Sequence, residues 1–477
     1  MRILCVASEV YPLVKTGGLA DVVGALPAAL AALGEDVRVM VPGYPAALAG
    51  VEHLGGWRSL GDPLGSGATR LGLGRLPGNG VPVWMVECPK LYDRSGGPYL
   101  DRAGADWPDN AQRFALLARA AAFVCEDGAT FGWRPDILHA HDWQTGLAPA
   151  YLASRTGNRP ASVFTLHNAQ YQGLFPASAL AAVGLPPESF TTAGVEYHGY
   201  LSFLKAGLHY ADGVNTVSPT YARELLTPDG GMGMEGVLAA KGARFSGILN
   251  GIDTHVWDPG ADPHIAHPYS PARLQDKLPN KTALQRECGL EEASQAPLLG
   301  VIGRLTPQKG LDLLVEALPE LLAQGAQAVV LGTGDRALEA ALLAEAVAHP
   351  RQVHVRIGYD EAFAHRIQAG CDAFLVPSRF EPCGLTQMCA MRYGTVPIVR
   401  QTGGLADTVL DASSSEDGTG FVFGEASSAD LAAAVARAIR AYRQPAAWQA
   451  LQRRAMQRDF SWDASARQYR DLFLSVR

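Results

Sequence analysis

Unbroken Val/Ile/Leu runs, each followed by a stretch of helical periodicity, recur along this chain in two series that prolines separate. A run without polar alternation has both faces covered, as a strand does inside a parallel sheet with helices on either side. In the first series strands are expected at residues 2–7, 37–41, 81–86, 136–141, 162–167, 214–217 and 246–249, with helices at 19–33, 110–129, 146–154 and 201–210. Prolines at 259, 263, 268, 271, 279 and 297 then interrupt the pattern. It restarts with strands at 298–302, 328–331, 353–357, 373–376 and 396–399, and helices at 310–322, 336–347, 361–369, 384–393 and 430–442. Such alternation reads as an α/β fold with doubly wound sheets. At 477 residues the chain exceeds what one core normally supports, so the two series read as two domains.

The halves echo each other: residues 15–23 read KTGGLADVV and residues 401–409 read QTGGLADTV. In each, a glycine pair opens an expected helix, whose first turn offers free backbone N–H groups and a positive dipole end to an anion. Residues 61–80, rich in Gly and Leu, fit no motif and stay unassigned.

Arg304 and Lys309, in GVIGRLTPQKGLD, follow a buried strand at its carboxyl end, where α/β sheets bind ligands. A guanidinium holds two phosphate oxygens bidentately, and an ammonium five residues on adds a second charge. The pair suits a diphosphate that leaves with growing negative charge; on charge alone, a solvated surface pair reads equally well. Glu381, in PSRFEPCGL, meets sugar hydroxyls or developing positive charge on a sugar ring, or else it caps the helix start. Cys383 reads as a small packing residue. In HAHDW, residues 139–143, His139 and His141 share a strand face, but no H-E-x-x-H or carboxylate cluster completes a zinc site, so no metal is expected. Asp142 faces the other way and, with His167 in FTLHN, is a candidate for a substrate cleft. GTGDRA at residues 332–337 partly matches the dinucleotide fingerprint, yet it follows the second strand of its series and reads as a tight turn. With no Walker A lysine motif and no D-x-D, neutralising a leaving diphosphate falls to Arg304 and Lys309.

The net charge of −7 argues against a nucleic-acid or anionic-membrane surface. Cysteines 5, 88, 125, 288, 371, 383 and 389 are odd in number and form no C-x-x-C, which reads as reduced thiols in a cytoplasm. The apolar run 3–7 is too short for a signal peptide and is followed by Glu9, and no stretch is long enough for a membrane span. A soluble, cytoplasmic protein is expected.

KTGGLADVVGALP, HAHDW, TLHN, ILNGID with a following Trp-Asp-Pro, GRLTPQKG, PSRFEPCGL and TGGLADTV occur in the order found in bacterial glycogen and plant starch synthases. From Lys15 to Val409 the chain resembles that family. The resemblance implies a GT-B architecture, two Rossmann-like doubly wound domains around a deep inter-domain cleft. The domains would span 1–250 and 251–456, with a helix in 457–477 returning to the first. It also implies metal-independent transfer of glucose from ADP-glucose to the non-reducing 4-OH end of an α-1,4-glucan such as glycogen, with retention of configuration and no cofactor. Carried over by residue, Lys15, Gly17 and Gly18 belong to the donor site, with Arg304 and Lys309 on the diphosphate and Tyr359, in RIGYDEAF, stacked on the adenine. Glu381 and the backbone of Cys383, Gly384, Leu385 and Thr386 meet the donor glucose and phosphates. Asp142 and His167 line the sugar side, and Tyr99 reaches in from a loop. Nucleic acid and membrane are not implied as partners, and the oligomeric state stays open. Another GT-B transferase, using UDP-glucose or a small acceptor, shares these features. A glucan phosphorylase needs a pyridoxal lysine, and a non-enzymatic glucan binder needs clustered aromatic platforms, whereas aromatic residues here are 8% and scattered.

Overall fold

In the computed structural model, which describes residues 1–155 and 157–477, the first part of the chain forms strands β1 (Arg2–Val6), β2 (Asp36–Pro42), β3 (Glu52–Gly61), β4 (Thr69–Arg75), β5 (Pro82–Glu87), β6 (Ile137–His141) and β7 (Ala161–Leu166). After them come the short strands β8 (Leu174–Pro176), β9 (Glu196–Tyr197) and β10 (Tyr200–Ser202), then β11 (Gly213–Thr216) and β12 (Phe245–Gly247). Strands β8, β10 and β9 form a small antiparallel sheet of their own. The others make one sheet in the order β12-β11-β7-β6-β1-β2-β5-β4-β3. From β12 to β5 every pairing is parallel. Ile3, Leu4 and Val6 of β1 are wholly buried, as an unbroken apolar run requires of a central strand.

Strands β3 and β4 add an antiparallel edge to this sheet. The middle of the unassigned stretch 61–80, Thr69–Arg75, is therefore sheet. The β4 sequence TRLGLGR carries its apolar side chains singly, with glycines between them, so it forms no continuous run. The helix expected from residue 201 instead begins at Phe203, because Ser202 ends β10 and its hydroxyl accepts the Lys205 N–H at 3.1 Å.

The second series forms β13 (Leu298–Ile302), β14 (Gln327–Gly332), β15 (Val353–Ile357), β16 (Ala373–Val376), β17 (Val396–Arg400) and β18 (Phe421–Phe423). They line up as β15-β14-β13-β16-β17-β18, all parallel. Counted from β13 this is the Rossmann order 3-2-1-4-5-6. The proline-rich connector holds a helix that apolar periodicity did not reveal, Leu278–Glu287. Polar side chains hold it down: Lys281, 2% exposed, lies 2.7 Å from Asp372 and donates to the carbonyls of Ser294 and Ala296.

Two compact units result, Ile252–Ser461 and Met1–Gly251 with Trp462–Arg477. The closing helix Trp462–Val476 joins the first because Trp462, Tyr469 and Phe473 bury against Ile3, Val22, Leu26 and Val163. Among the described residues no helix is long and apolar enough to cross a membrane.

Candidate active site

In a doubly wound sheet the crevice for a ligand opens where the strand order reverses, beyond the carboxyl ends of the strands there. In the first unit the order reverses between β1 and β6. The segments after β1, β6 and the adjacent β7 carry Lys15, Asp142 and His167. In the second unit it reverses between β13 and β16, and the following loops carry Arg304 with Lys309 and Glu381. Each unit thus carries these candidate residues at its own switch point.

In the first unit Lys15 Nζ lies 2.9 Å from Asp21 and 5.4 Å from the centre of the Tyr11 ring. Glu9, buried at the end of the β1 segment, accepts from the Thr16 N–H, from Thr16 Oγ1 at 2.7 Å and from the Tyr99 hydroxyl. It also accepts from the Gly17 N–H. Ser8 Oγ completes the link, 2.7 Å from the Tyr99 oxygen. Burial raises the Glu9 carboxyl above its ordinary range, and these hydrogen bonds oppose the rise. The sequence-based reading of free amides in the KTGG loop is thereby corrected at Thr16 and Gly17, whose N–H groups already serve Glu9. Glu9 was not among the candidate site residues; its signal was an acid three residues after the buried apolar run Ile3–Val6 at a switch point. Gly18 opens the helix Gly18–Ala32, which has no side-chain cap.

Asp142 lies past the end of β6 with φ 56° and ψ 176°, a conformation rare for a residue with a side chain. Its carboxylate accepts the His167 N–H at 2.8 Å and also the Asn168 N–H. Burial pushes its carboxyl up to about 7, these two N–H groups oppose that, and the charge of Glu9 adds to it. His167 is kept neutral, its imidazole lowered to about 3 by burial, and its Nε2 lies 2.9 Å from His141 Nδ1.

Sequence alone found no third ligand for the H-x-H pair; pairing of β1 with β6 supplies Cys5. Its sulfur and the two imidazoles have ligand atoms within 4.8 Å of one another. The closest approach, Cys5 Sγ to His141 Nε2 at 3.2 Å, is a hydrogen-bond distance. Sulfur and nitrogen on one tetrahedral zinc stand roughly 3.5 Å apart, and such a site needs a fourth ligand and a thiolate. Among the described residues the group has no fourth member, and burial holds the Cys5 thiol far above its ordinary range.

In the second unit Lys309 Nζ lies 2.6 Å from Glu381 Oε2, which also accepts from Ser378 Oγ at 2.9 Å. Arg304, exposed in the loop after β13, donates to Gln308 Oε1 at 3.4 Å. Gln308 Nε2 in turn donates to the Phe380 carbonyl, tying the Arg304–Lys309 loop to the Glu381 loop. The helix-capping reading of Glu381 does not hold, because that helix begins at Thr386 and Glu381 stands five residues before it. Gln387 Nε2 hooks the carbonyls of Cys383 and Gly384 at 3.1 and 2.8 Å, and so shapes the turn through Leu385 into Thr386. Cys383 itself is buried. Tyr359, 70% exposed, follows the edge strand β15. It stands two strands from β13, about 10 Å at the usual strand spacing. The structure therefore joins Lys309, Glu381 and Ser378 directly and leaves Tyr359 apart at the sheet edge. In GTGDRA, Gly334 must lack a side chain because a Cβ would stand 2.4 Å from the Leu305 carbonyl; the turn clamps the loop that carries Arg304.

Two glycines of the TGGLAD segments differ in the room around them. A Cβ on Gly404, the second glycine of its segment, would lie 2.1 Å from the Cys383 carbonyl oxygen, whereas one on Gly17, the first glycine of the other segment, with φ −161°, would meet nothing within 4 Å. Gly404→Ala is therefore expected to lower the melting temperature by several degrees, at a cost of about 1–3 kcal/mol. Gly17→Ala is expected to stay within about 0.5 kcal/mol of the parent. Thermal unfolding of both variants checks this, and equal melting temperatures would contradict it.

Residues 2–240 match the family profile described as starch synthase catalytic domain, and residues 289–454 match that of glycosyl transferases group 1. The chain is 53% identical to the glycogen synthase of Paramagnetospirillum magneticum, covering 100% of this chain and 98% of that one. It is 49% identical to the glycogen synthase of Rhodospirillum rubrum at the same coverage. Among solved structures, the catalytic domain of starch synthase IV from Arabidopsis thaliana, bound to ADP and acarbose, matches with a TM-score of 0.89 at 34% identity over 99% of both chains. A chain that aligns end to end with these enzymes, and shares their fold, belongs to the glycogen and starch synthase family of GT-B glycosyltransferases.

Proposed function

We propose that this enzyme uses ADP-glucose as donor and extends the non-reducing 4-OH end of an α-1,4-glucan with retention of configuration. The observation that carries the reading is the cationic pair Arg304 and Lys309 beside the Lys309–Glu381–Ser378 cluster, at the switch point of a Rossmann-ordered sheet. As the glucosyl–phosphate bond breaks, negative charge grows on the diphosphate and positive charge on the sugar ring. Arg304 and Lys309 stabilise the first, and Glu381 stabilises the second and accepts from sugar hydroxyls. Glu381 also holds the Lys309 ammonium in place before the donor arrives, which lowers the reorganisation needed at the moment of reaction. The backbone from Cys383 to Thr386 is assigned to the donor glucose and phosphates, and Tyr359 to the adenine face. From the first unit, Lys15, Gly17 and Gly18 are assigned to the donor site, Asp142 and His167 to glucosyl hydroxyls, and Tyr99 to the sugar side. The ADP held by the Arabidopsis relative supports the choice of nucleotide. Free, buried cysteines at all seven positions support a cytoplasmic setting.

The test is incorporation of labelled glucose into glycogen from ADP-glucose or UDP-glucose, with and without EDTA. ADP-glucose is expected to serve and UDP-glucose to fail at equal concentration, with little loss on chelation. A preference for UDP-glucose overturns the donor assignment. Activity that vanishes with EDTA and returns with Mg²⁺ overturns Arg304 and Lys309 as sufficient counter-charges.

A further inference from the structure

Behind His167 runs a line of buried groups that the proposed chemistry leaves unused. Cys5 Sγ lies 3.2 Å from His141 Nε2, and His141 Nδ1 lies 2.9 Å from His167 Nε2. Cys5 is 2% exposed and His141 0%. Burial holds both imidazoles neutral and keeps the thiol protonated.

A neutral imidazole carries one proton, on one nitrogen or the other, and its hydrogen-bond partners select which. In this line the protons have two consistent arrangements. Either Cys5 S–H donates to His141 Nε2 and His141 Nδ1–H donates to His167 Nε2, so that His167 carries its own proton on Nδ1. Or both bonds reverse, the sulfur accepts from His141, and His167 presents a bare Nδ1. Sulfur is a weak acceptor, whereas an imidazole nitrogen is a good one. The reversed arrangement also leaves the thiol proton without an acceptor. His139 does not take it, because His139 Nδ1 has no hydrogen-bond partner. The other His139 nitrogen is spoken for: Thr165 Oγ1 donates to Asn215 Oδ1 at 2.7 Å, so it accepts from His139 Nε2–H at 2.7 Å. The first arrangement is the one these partners favour.

We infer that Cys5 and His141 are positioning residues that hold His167 as its Nδ1–H tautomer, so that the ring offers the crevice a hydrogen-bond donor and not a base. This rests on the assignment of His167 to a glucosyl hydroxyl in its consequence for catalysis, but the tautomer itself can be read without turnover. No proton is transferred in the step; the N–H is donated to a sugar oxygen and stays on nitrogen.

The experiment is ¹⁵N NMR of the full chain labelled in its histidine rings, with the His167 signals assigned by their loss in His167→Gln. The wild type is expected to show His167 protonated at Nδ1. Cys5→Ala and His141→Leu are expected to convert it, wholly or in part, to the Nε2–H form. Cys5→Ser keeps an O–H donor, and His141→Asn keeps an N–H near the place of Nδ1–H, so both are expected to retain the wild-type tautomer. In parallel, Cys5→Ala should lower kcat up to about tenfold with the KM for ADP-glucose little changed, as loss of one oriented hydrogen bond implies, and Cys5→Ser should restore it. A wild-type His167 protonated at Nε2, or a tautomer indifferent to Cys5→Ala and His141→Leu, overturns the inference. So does stoichiometric zinc in the purified protein that disappears in Cys5→Ala. An Nδ1–H tautomer that responds to these substitutions while His167→Gln keeps full turnover upholds the inference and removes His167 from the proposed sugar contacts.

Discussion

Arg304→Ala and Lys309→Ala are each expected to lower kcat by about 10²–10³-fold, with a much smaller rise in the KM for ADP-glucose. The asymmetry follows from when the charges act. A cation that meets the diphosphate equally before and during bond cleavage aids binding alone, whereas one whose partner gains negative charge during cleavage aids the transition state. The two variants should differ in stability. Arg304 is exposed in the loop after β13, where replacing a solvated side chain typically changes stability by about 0.5 kcal/mol or less. Lys309→Ala strips the cation from a carboxylate that is 5% exposed, leaving Ser378 as its remaining donor among the described contacts. An unpaired buried charge is destabilising, so Lys309→Ala should also melt earlier than Arg304→Ala. Steady-state kinetics with both substrates varied, alongside thermal unfolding, reads both effects. Turnover near wild type in either variant returns that residue to the role of a surface charge.

Glu381→Gln is expected to lower kcat by about 10²-fold or more, since it replaces a preorganised charge with a neutral group of nearly equal size. The competing account is that Glu381 serves only to hold Lys309, 2.6 Å away. A double-mutant cycle separates the two. If Glu381 acts only through Lys309, the variant carrying both Lys309→Ala and Glu381→Gln is no slower than Lys309→Ala alone. If Glu381 also faces the sugar, as proposed, the double variant loses a further large factor. The melting temperature is not expected to track turnover in this series.

The fold class was legible because a strand buried on both faces leaves an unbroken apolar run, as Arg2–Val6 and Leu298–Ile302 do. The motif order, from the Lys15 loop to the second TGGLAD, was enough to name the family. Elements lacking that signature escaped: β4 spaces its apolar residues with glycine, and the helix Leu278–Glu287 is anchored by buried polar groups. Side chains that meet across long stretches of sequence escaped as well. Cys5 and His141 are 136 residues apart, and they touch because β1 and β6 pair in register at the switch point. Glu9 engages Tyr99 across 90 residues, and Gly404 packs on the Cys383 carbonyl, 21 residues away. An apolar run encodes that a strand will be buried, and local periodicity encodes what lies between strands. Neither encodes which strand becomes the neighbour, because that choice is made by the packing of the whole sheet, and with it the choice of which side chains share a site.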